Sequence, residues 1–502
     1  MNLTTLIRPF FTAKARKSLA AASDPEAAQL RTLKMLLSHG RHTLWGRTYR
    51  MEQIGSYADF SSSVPVSPYE KLRPYVMRAI KGERDLLWPG VTRRFAQSSG
   101  TSDGKSKYIP VTSASLRLNH YRGGAEAVAH YLNHHPQSRL FDGRAFILGG
   151  SFANELSLPD PRVKVGDLSA NLIDAINPLV NLVRVPSKST ALMADWSEKL
   201  PALVRESASA DVTNISGVPS WFLTVLREVI KSRGAETIHD VWPNLEVFFH
   251  GGISFAPYRD LYSSITDPSR MNYLETYNAS EGFFAVQTSP DAPGMMLIVD
   301  AGIFYELLPA DGSCSTPIPL WQAERGRKYA LVITAPNGLW RYQIGDVVRI
   351  ESTEPVITIT IAGRTKSYIN AFGEEVMVHN TDAALARACR EEGCRVLDYT
   401  AAPVYTSAGS KGHHQWLIEF AEPPADLARF AATLDRCLCE ENSDYQAKRT
   451  GSIFLSPLTV TVARRGLFDS WLASTGKLGG QRKVPRLSND RHLIDSMLSF
   501  NI

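Results

Sequence analysis

The chain has 502 residues, 21% of them charged and 44% hydrophobic, and its formal net charge is +5. This is the composition of a globular protein with room for more than one domain. The small net charge argues against a dedicated nucleic-acid-binding protein, and no stretch approaches the ~20 apolar residues of a membrane-spanning helix. We therefore expect a cytoplasmic monomer that binds neither nucleic acid nor membranes.

The N-terminal segment is basic, and its first acidic residue is Asp24. It lacks the apolar core and the cleavage site of a secretory signal, so a surface helix or arm is favoured over a weak transit peptide. A clear helix follows, because Asp24 can cap it, Pro25 stands in its first turn and leucines recur up to Gly40. Further along the chain, the five cysteines are scattered without a CxxC pair. Their spacing favours neither a zinc site nor a disulfide framework.

The stretch AQSSGTSDGKSKYIPV at first suggests a Walker A phosphate loop. That loop needs four residues between its glycines, but only three separate Gly100 from Gly104. Strand-like segments flank the stretch on both sides, whereas a Walker loop leads from a strand into a helix. The loop is rich in hydroxyl groups, which include Ser98, Ser99 and Thr101. These groups and the backbone N–H groups predict a phosphate cradle, with a plain hairpin tip as the alternative.

A long helix is predicted from about residue 113 to 133, and strands are predicted at NLEVFFHGG, MMLIVDAGIFYELL and KYALVITA. The Asn-Gly pair of APNGLW predicts a hairpin turn. Towards the C-terminus, strands and helices alternate on a smaller scale. We therefore predict an α/β fold with a large domain of mixed sheets, residues 1–362, a hinge at 363–366 and a small α+β lid, residues 367–502.

Several short segments carry polar groups that suit a nucleotide. In YNASEG, the Tyr277 ring can stack on a purine, the Ser280 hydroxyl can bond a phosphate and the Glu281 carboxylate can hold Mg²⁺. In RYQIGD, Asp346 can accept hydrogen bonds from both ribose hydroxyls. The alternative interpretation of Glu281 is an ordinary solvated residue at a strand end. For Asp346 the alternative is a turn residue that bonds its own backbone.

Two later segments add positive charge. GRTKSYINAFGEE offers Arg364 to a ribose or a phosphate, and GGQRKVPRL places Lys483 in a basic loop flanked by glycines. A surface hairpin and a basic tail loop are the respective alternatives.

The order of these motifs along the chain is that of the acyl-adenylate-forming enzymes. More narrowly, SSGTSDGKSKYIPVT, TYNASEG, RYQIGDVV, GRTKSYINAFGEE and GQRKVPRL resemble the plant auxin-responsive (Gretchen Hagen) acyl-acid amido synthetases and their bacterial relatives. The resemblance runs from about residue 30 to the end of the sequence. It implies a bacterial-type member of that family with the two-domain adenylating fold of firefly luciferase.

The resemblance also implies a role for each motif residue. The implied ATP ligands are Ser98, Ser99 and Thr101 at the β- and γ-phosphates, Ser280 at the α-phosphate, Tyr277 at the adenine, and Asp346 with Arg364 at the ribose. Glu281 would bind Mg²⁺, Lys366 would be the hinge residue, and Lys483 would enter the site from the lid during adenylation.

The acid pocket is less defined by the sequence. Arg122 in HYRGG loosely matches a family position near the acyl carboxylate. Phe255 and Tyr258 suggest a pocket for a flat or apolar acid, although core packing explains these two aromatic residues equally well. The pattern also departs from the broader superfamily, because Lys366 replaces the usual hinge aspartate and Arg341 precedes Tyr342 instead of following it. The role of Arg341 is therefore open.

The implied reaction has two steps. A small carboxylic acid attacks the α-phosphate of ATP and releases pyrophosphate, and the neutral amine of an amino acid then attacks the acyl-adenylate and releases AMP. An acyl-CoA synthetase would share the first step, and a P-loop kinase would release ADP instead. A non-catalytic nucleotide-binding protein is the alternative outside the enzymes, and the presence of both Glu281 and Lys483 argues against it.

Overall fold

The structure is a computed structural model that describes residues 2–98, 107–152, 154, 156, 158, 160–253, 255, 258–364, 368–406, 410–452, 454–474 and 484–501. Four of the predicted site residues, Ser99, Thr101, Lys366 and Lys483, lie outside this part of the chain. For Arg364 only the backbone is described.

The α-helices of the described residues are α1 (Leu3–Ala22), α2 (Pro25–Gly40), α3 (Leu44–Thr48), α4 (Tyr57–Ser63), α5 (Tyr69–Ile80), α6 (Ser113–Ser115), α7 (Tyr121–His134), α8 (Leu168–Ala175), α9 (Lys188–Ala191), α10 (Trp196–Ser207), α11 (Pro219–Arg233), α12 (Ile238–Val241), α13 (Arg259–Ser263), α14 (Val378–Glu392), α15 (Leu427–Glu441), α16 (Ser443–Arg449), α17 (Leu467–Ser474) and α18 (His492–Phe500). Helix α2 begins as predicted, with the Asp24 side chain accepting a hydrogen bond from the Ala27 backbone at 3.1 Å. The long helix predicted after the phosphate loop is also present as α6 and α7, which a π-helical turn over Leu116–His120 joins. None of these helices combines the length and the apolar character needed to cross a bilayer.

The strands of the described residues are β1 (Arg94–Ser98), β2 (Lys107–Pro110), β3 (Arg144–Ile147), β4 (Lys164–Gly166), β5 (Arg184–Val185), β6 (Val212–Gly217), β7 (Val247–Gly251), β8 (Asn272–Ala279), β9 (Gly282–Val286), β10 (Met295–Leu297), β11 (Phe304–Pro309), β12 (Ile318–Pro319), β13 (Lys328–Ala335), β14 (Leu339–Ser352), β15 (Thr358–Arg364), β16 (Tyr368–Ile369), β17 (Val376–Met377), β18 (Arg395–Val404), β19 (His413–Glu422) and β20 (Thr459–Ala463).

The main sheet is mixed and, within the described residues, runs in the order β12-β11-β13-β14-β15-β10-β9-β8-β7-β6-β3-β5. The strands from β12 to β8 pair antiparallel, and those from β8 to β5 pair parallel. Strand β8 therefore belongs to both halves. In parallel sheets the carboxyl ends of the strands form the ligand-binding edge, so the residues after β6, β7 and β8 are placed at such an edge.

A smaller sheet carries the predicted phosphate loop. Strands β1 and β2 pair antiparallel, with Ser98 opposite Lys107 as the pair next to the loop, and β4 adds to β1 in parallel. The prediction that the loop connects two strands, and not a strand and a helix, is therefore confirmed.

The predicted Asn-Gly hairpin joins β13 to β14, and Gly338 adopts a φ of +87° in its turn. Three residues into β14, Arg341 is buried and forms a bidentate ion pair with Glu306 of β11, at 2.7 and 2.8 Å. It also donates to the backbone carbonyls of Ser61 and Val64. Arg341 therefore holds the end of α4 on the antiparallel half of the sheet.

The C-terminal region is α+β, as predicted. Strands β18, β19 and β20 form one sheet, on which α14 and α15 pack. Trp416 of this sheet and Phe222 of α11 belong to one continuous hydrophobic core, so the region is packed against the parallel half of the main sheet. The expected α/β class with mixed sheets is confirmed, whereas the boundaries of the large domain, the hinge and the lid stay predictions.

Candidate active site

A large cavity of about 1780 Å³ lies between the main sheet and the C-terminal region. The carboxyl ends of β6, β7 and β8 contribute Ser216, Gly251 and Asn278 to its wall. The cavity also brings together five of the predicted site residues, which are Ser98, Tyr277, Ser280, Glu281 and Asp346. These residues come from the small sheet, strand β8, the β8–β9 turn and strand β14.

Tyr277 and Asp346 are joined directly. The Tyr277 hydroxyl donates a hydrogen bond of 2.6 Å to Oδ2 of Asp346, and both side chains are buried. Across the antiparallel pair of β14 and β15, Asp346 lies opposite Arg364. The register of one strand pair thus places an acidic and a basic residue together, and the tyrosine fixes the orientation of the carboxylate.

Glu281 lies in the tight turn between β8 and β9, where its side chain is buried at the cavity wall. Its Oε1 is 3.4 Å from the hydroxyl of Tyr342, which in turn receives a hydrogen bond of 3.4 Å from the ammonium of Lys107. Asn337 donates to the Glu281 backbone carbonyl at 3.1 Å and holds the turn in place. Tyr342 was not predicted as a site residue, although it stands in the same RYQIGD motif as Asp346.

The donor set at Glu281 suits a magnesium ion that is held partly by a substrate. Among the described residues, no group of three or more His, Cys, Asp or Glu side chains could hold a metal ion by itself. Mg²⁺ prefers oxygen ligands and is commonly bound by one or two carboxylates together with substrate phosphates. The Glu281 carboxylate, which lines a nucleotide-sized cavity, fits this mode of binding.

Three predicted acid-binding residues lie elsewhere. The Arg122 guanidinium pairs with Asp300 at a separate, smaller depression. Phe255 is buried against the ring of His250, with centroids 4.3 Å apart, and the buried Tyr258 donates to the Ala371 carbonyl at 2.7 Å. None of these three side chains lines the cavity. Phe255 and Tyr258 instead pack in the core, which is the alternative interpretation of these two residues.

The apolar part of the cavity wall comes from residues that the sequence did not single out. It includes Val128 of α7, Ile147 of β3, Leu172 of α8, and Ile176 and Phe249. In the sequence these residues are ordinary helix and strand positions, so no local pattern separates them from core residues.

Comparison with known proteins identifies the family. The GH3 family N-terminal domain matches residues 15–271, the central domain matches residues 296–364 and the C-terminal domain matches residues 379–492. The first of these alone spans more than half of the chain. The chain belongs to the GH3 family. The resemblance to the auxin-responsive acyl-acid amido synthetases is thereby confirmed.

The similar curated proteins span nearly the whole chain. Indole-3-acetic acid-amido synthetase GH3.8 of Oryza sativa subsp. indica is 24% identical, over 92% of this chain and 88% of its own length. Probable indole-3-acetic acid-amido synthetase GH3.1 of Arabidopsis thaliana is 23% identical, over 98% of this chain and 95% of its own length.

Solved structures share the fold of this GH3 chain. The GH3.15 acyl acid amido synthetase superposes with a TM-score of 0.62 at 18% identity, and the match covers 97% of this chain and 96% of that one. 2-Hydroxyisobutyryl-CoA ligase in its thioesterification state superposes with a TM-score of 0.55 at 15% identity, over 95% and 92%. The predicted adenylating fold is therefore confirmed.

Proposed function

We propose that this GH3 protein is an ATP-dependent acyl-acid amido synthetase. It adenylates a carboxylic acid with release of pyrophosphate and then transfers the acyl group to the amine of an amino acid with release of AMP. The observation that carries the proposal is the convergence of Tyr277, Ser280, Glu281 and Asp346 on one cavity in a chain of this family.

The nucleotide is held at the end of β8 and beside the middle of β14. Asp346 accepts hydrogen bonds from the ribose hydroxyls, and the Tyr277 hydroxyl keeps its carboxylate in place. Ser280 and Ser98 contact phosphate oxygens, and Glu281 binds Mg²⁺ together with those oxygens. Ser99, Thr101, Arg364 and Lys483 complete the phosphate and ribose contacts as predicted ligands, and Lys366 is the predicted hinge residue.

Adenylation needs no general base, because the attacking acid is already a carboxylate. Its barrier is mainly the repulsion between two anions, and preorganised positive charge lowers that barrier. Lys107 supplies such charge next to Glu281 through the Tyr342 hydroxyl. When bound, Mg²⁺ neutralises phosphate charge at the same place.

The acid substrate is an apolar one. Val128, Ile147, Leu172, Ile176 and Phe249 give the cavity an apolar wall, which favours burial of hydrocarbon or aromatic surface. A cytoplasmic location and a monomeric state stay predictions.

An ATP–pyrophosphate exchange assay tests the proposal. Indole-3-acetate, benzoate and decanoate are each offered with ATP and Mg²⁺, and product masses are then recorded after addition of amino acids or coenzyme A. We expect exchange that depends on the acid, and an amide as the product. Thioester without amide, or ADP in place of AMP, would contradict the assignment.

A further inference from the structure

Lys448 of α16 is a buried lysine on the wall of the active-site cavity. Only 5% of its surface is exposed, and among the described residues its ammonium has neither a hydrogen-bond acceptor nor an ion-pair partner. Its Nζ lies 4.0 Å from the centre of the Trp221 ring. A buried ammonium that meets only an aromatic face is costly unless a ligand supplies an anion.

A second buried lysine lies on the same wall. Lys199 of α10 is 1% exposed, and its ammonium donates to the backbone carbonyls of Gly149 and Met193. Burial, together with repulsion from Lys448, lowers the pKa of Lys199 to about 8, and burial lowers the pKa of Lys448 as well. The Lys199 ammonium therefore stabilises the fold through its two hydrogen bonds, whereas the Lys448 ammonium can bind a ligand.

Acidic side chains share this wall with the lysines. Asp167, Asp444 and Glu375 line the cavity, and their charges, like that of the buried Glu374, act on Lys448. None of them lies close enough to Lys448 to form an ion pair. A wall that carries both signs of charge is complementary to a zwitterion.

Lys448 lines the cavity from the C-terminal region, whereas the nucleotide residues Tyr277, Glu281 and Asp346 line it from the main sheet. Gly251 pairs with Thr276, next to Tyr277, and Asn370 reaches the Gly252 carbonyl from the C-terminal side. Beyond Asn370, Gly373 lies against the Lys448 side chain. A ligand at Lys448 therefore shares the cavity with the nucleotide but lies on the side of the C-terminal region.

We propose that Lys448 binds the α-carboxylate of the acceptor amino acid, with the Trp221 ring against the ligand and the acidic residues of the same wall facing its amino group. This inference rests on the proposed function. It adds to that function the residue that binds the acceptor's carboxylate and the residues that face its amino group.

Lys448→Met tests the inference, because methionine keeps the apolar stem and removes the charge. The acceptor is first identified by product mass from an equimolar mixture of the twenty proteinogenic amino acids. That amino acid and its carboxamide are then compared as substrates. A hydrogen bond to a charged group typically corresponds to about a 10- to 100-fold effect. We expect the variant to raise the KM of the amino acid by this factor and to leave the KM of the carboxamide unchanged.

The matched control is Lys411→Met, which makes the same change at an exposed lysine of the C-terminal region whose contact is the Ser452 carbonyl. This control should leave both KM values unchanged. If wild-type protein uses the amino acid and its carboxamide equally well, the inference is wrong, whether or not Lys448→Met folds. An unchanged KM in a folded variant would overturn it as well.

ATP–pyrophosphate exchange separates this inference from the proposed function. Lys448→Met should retain exchange, since the acceptor takes no part in that step. Loss of exchange in the folded variant would assign Lys448 to adenylation and overturn the inference. Absence of exchange in wild-type protein with every acid would instead contradict the proposed function.

Discussion

Glu281 has a structural role through its backbone and a proposed metal-binding role through its carboxylate. A conservative substitution can separate the two roles. Its backbone is held by Asn337, and its carboxylate faces the cavity beside Tyr342. The amide of a glutamine would keep the shape and the hydrogen bond but lose the negative charge that a metal ion needs.

Glu281→Gln should therefore slow adenylation without unfolding the protein. Loss of one preorganised electrostatic contact typically lowers the rate by about 10²–10³. The readouts are ATP–pyrophosphate exchange at saturating Mg²⁺ and the melting temperature, with the exposed Glu83→Gln as the control. Exchange at the wild-type rate would show that Glu281 does not bind the metal.

Arg341 gives the opposite case, in which the role is structural. Arg341→Met leaves the buried carboxylate of Glu306, whose pKa burial already raises, without its partner. Breaking a buried ion pair in this way typically lowers the free energy of unfolding by about 3–5 kcal/mol. Urea unfolding measures the effect, and Arg436→Met at the exposed pair with Glu440 is the control, which should hardly move the midpoint. Equal midpoints for both variants would contradict this role.

Residues that the sequence singled out by both chemistry and motif lie on the wall of one cavity, and their roles stay predictions. Tyr277 and Ser280 line the cavity at the end of β8, and Asp346 lines it from the middle of β14. Arg122 does not, because a position on a helix gives no information about which face meets the cavity. Nothing in the sequence marks Lys448, since its burial results from packing against Trp221, which lies far away along the chain.

At the scale of elements, two glycines with a left-handed backbone differ in how closely they are packed, and one of them lies in the turn of the β13–β14 hairpin. Gly338 has a φ of +87°, and a Cβ added there would lie 2.5 Å from Cβ of Leu87. Gly326 has a similar φ of +82°, but a Cβ there would meet nothing within 4 Å. Alanine substitutions at the two glycines therefore separate the cost of backbone strain from the cost of steric overlap.

Gly326→Ala should cost about 1–2 kcal/mol of unfolding free energy, the usual penalty for a left-handed alanine. Gly338→Ala should cost about 1–3 kcal/mol more, because the extra carbon overpacks the contact with Leu87. Chemical unfolding of the two variants measures the difference. Equal losses would mean that the chain around Leu87 moves freely to make room.

Most helices, strands and turns could be predicted from short stretches of neighbouring residues. The Asn-Gly turn, the Asp24 cap and the strands around the phosphate loop depend on neighbouring residues, and the sequence predicted all three. The apolar wall of the cavity was not readable, because Val128 and Ile147 come from different elements and meet only in the tertiary structure.

At the scale of the whole molecule, buried histidines predict how stability depends on pH. Burial lowers the pKa of His120 and His130 to about 4 and that of His250 to about 3. In the unfolded chain these groups titrate near 6.5. Below that pH the unfolded chain binds protons that the folded chain does not, so stability is lost as the pH falls towards 4.

Between pH 6.5 and 5 each such histidine should lower the free energy of unfolding by about 2 kcal/mol. His130→Leu should reduce the loss between pH 7 and pH 5 by that amount, because both ring nitrogens of His130 lack partners among the described residues. Urea midpoints at the two pH values measure the change, and His42→Leu at an exposed position is the control. The same pH dependence in wild type and His130→Leu would contradict the assignment.

The central claim is that the reaction passes through an acyl-adenylate, and an isotope experiment tests it most directly. The acid is labelled with ¹⁸O in both carboxyl oxygens and incubated with ATP, Mg²⁺ and the amino acid, and the AMP is then analysed by mass spectrometry. Attack of the carboxylate on the α-phosphate leaves one labelled oxygen on AMP when the amine displaces it, so AMP should carry one ¹⁸O for each amide formed. Unlabelled AMP, or ADP together with labelled inorganic phosphate, would contradict the account.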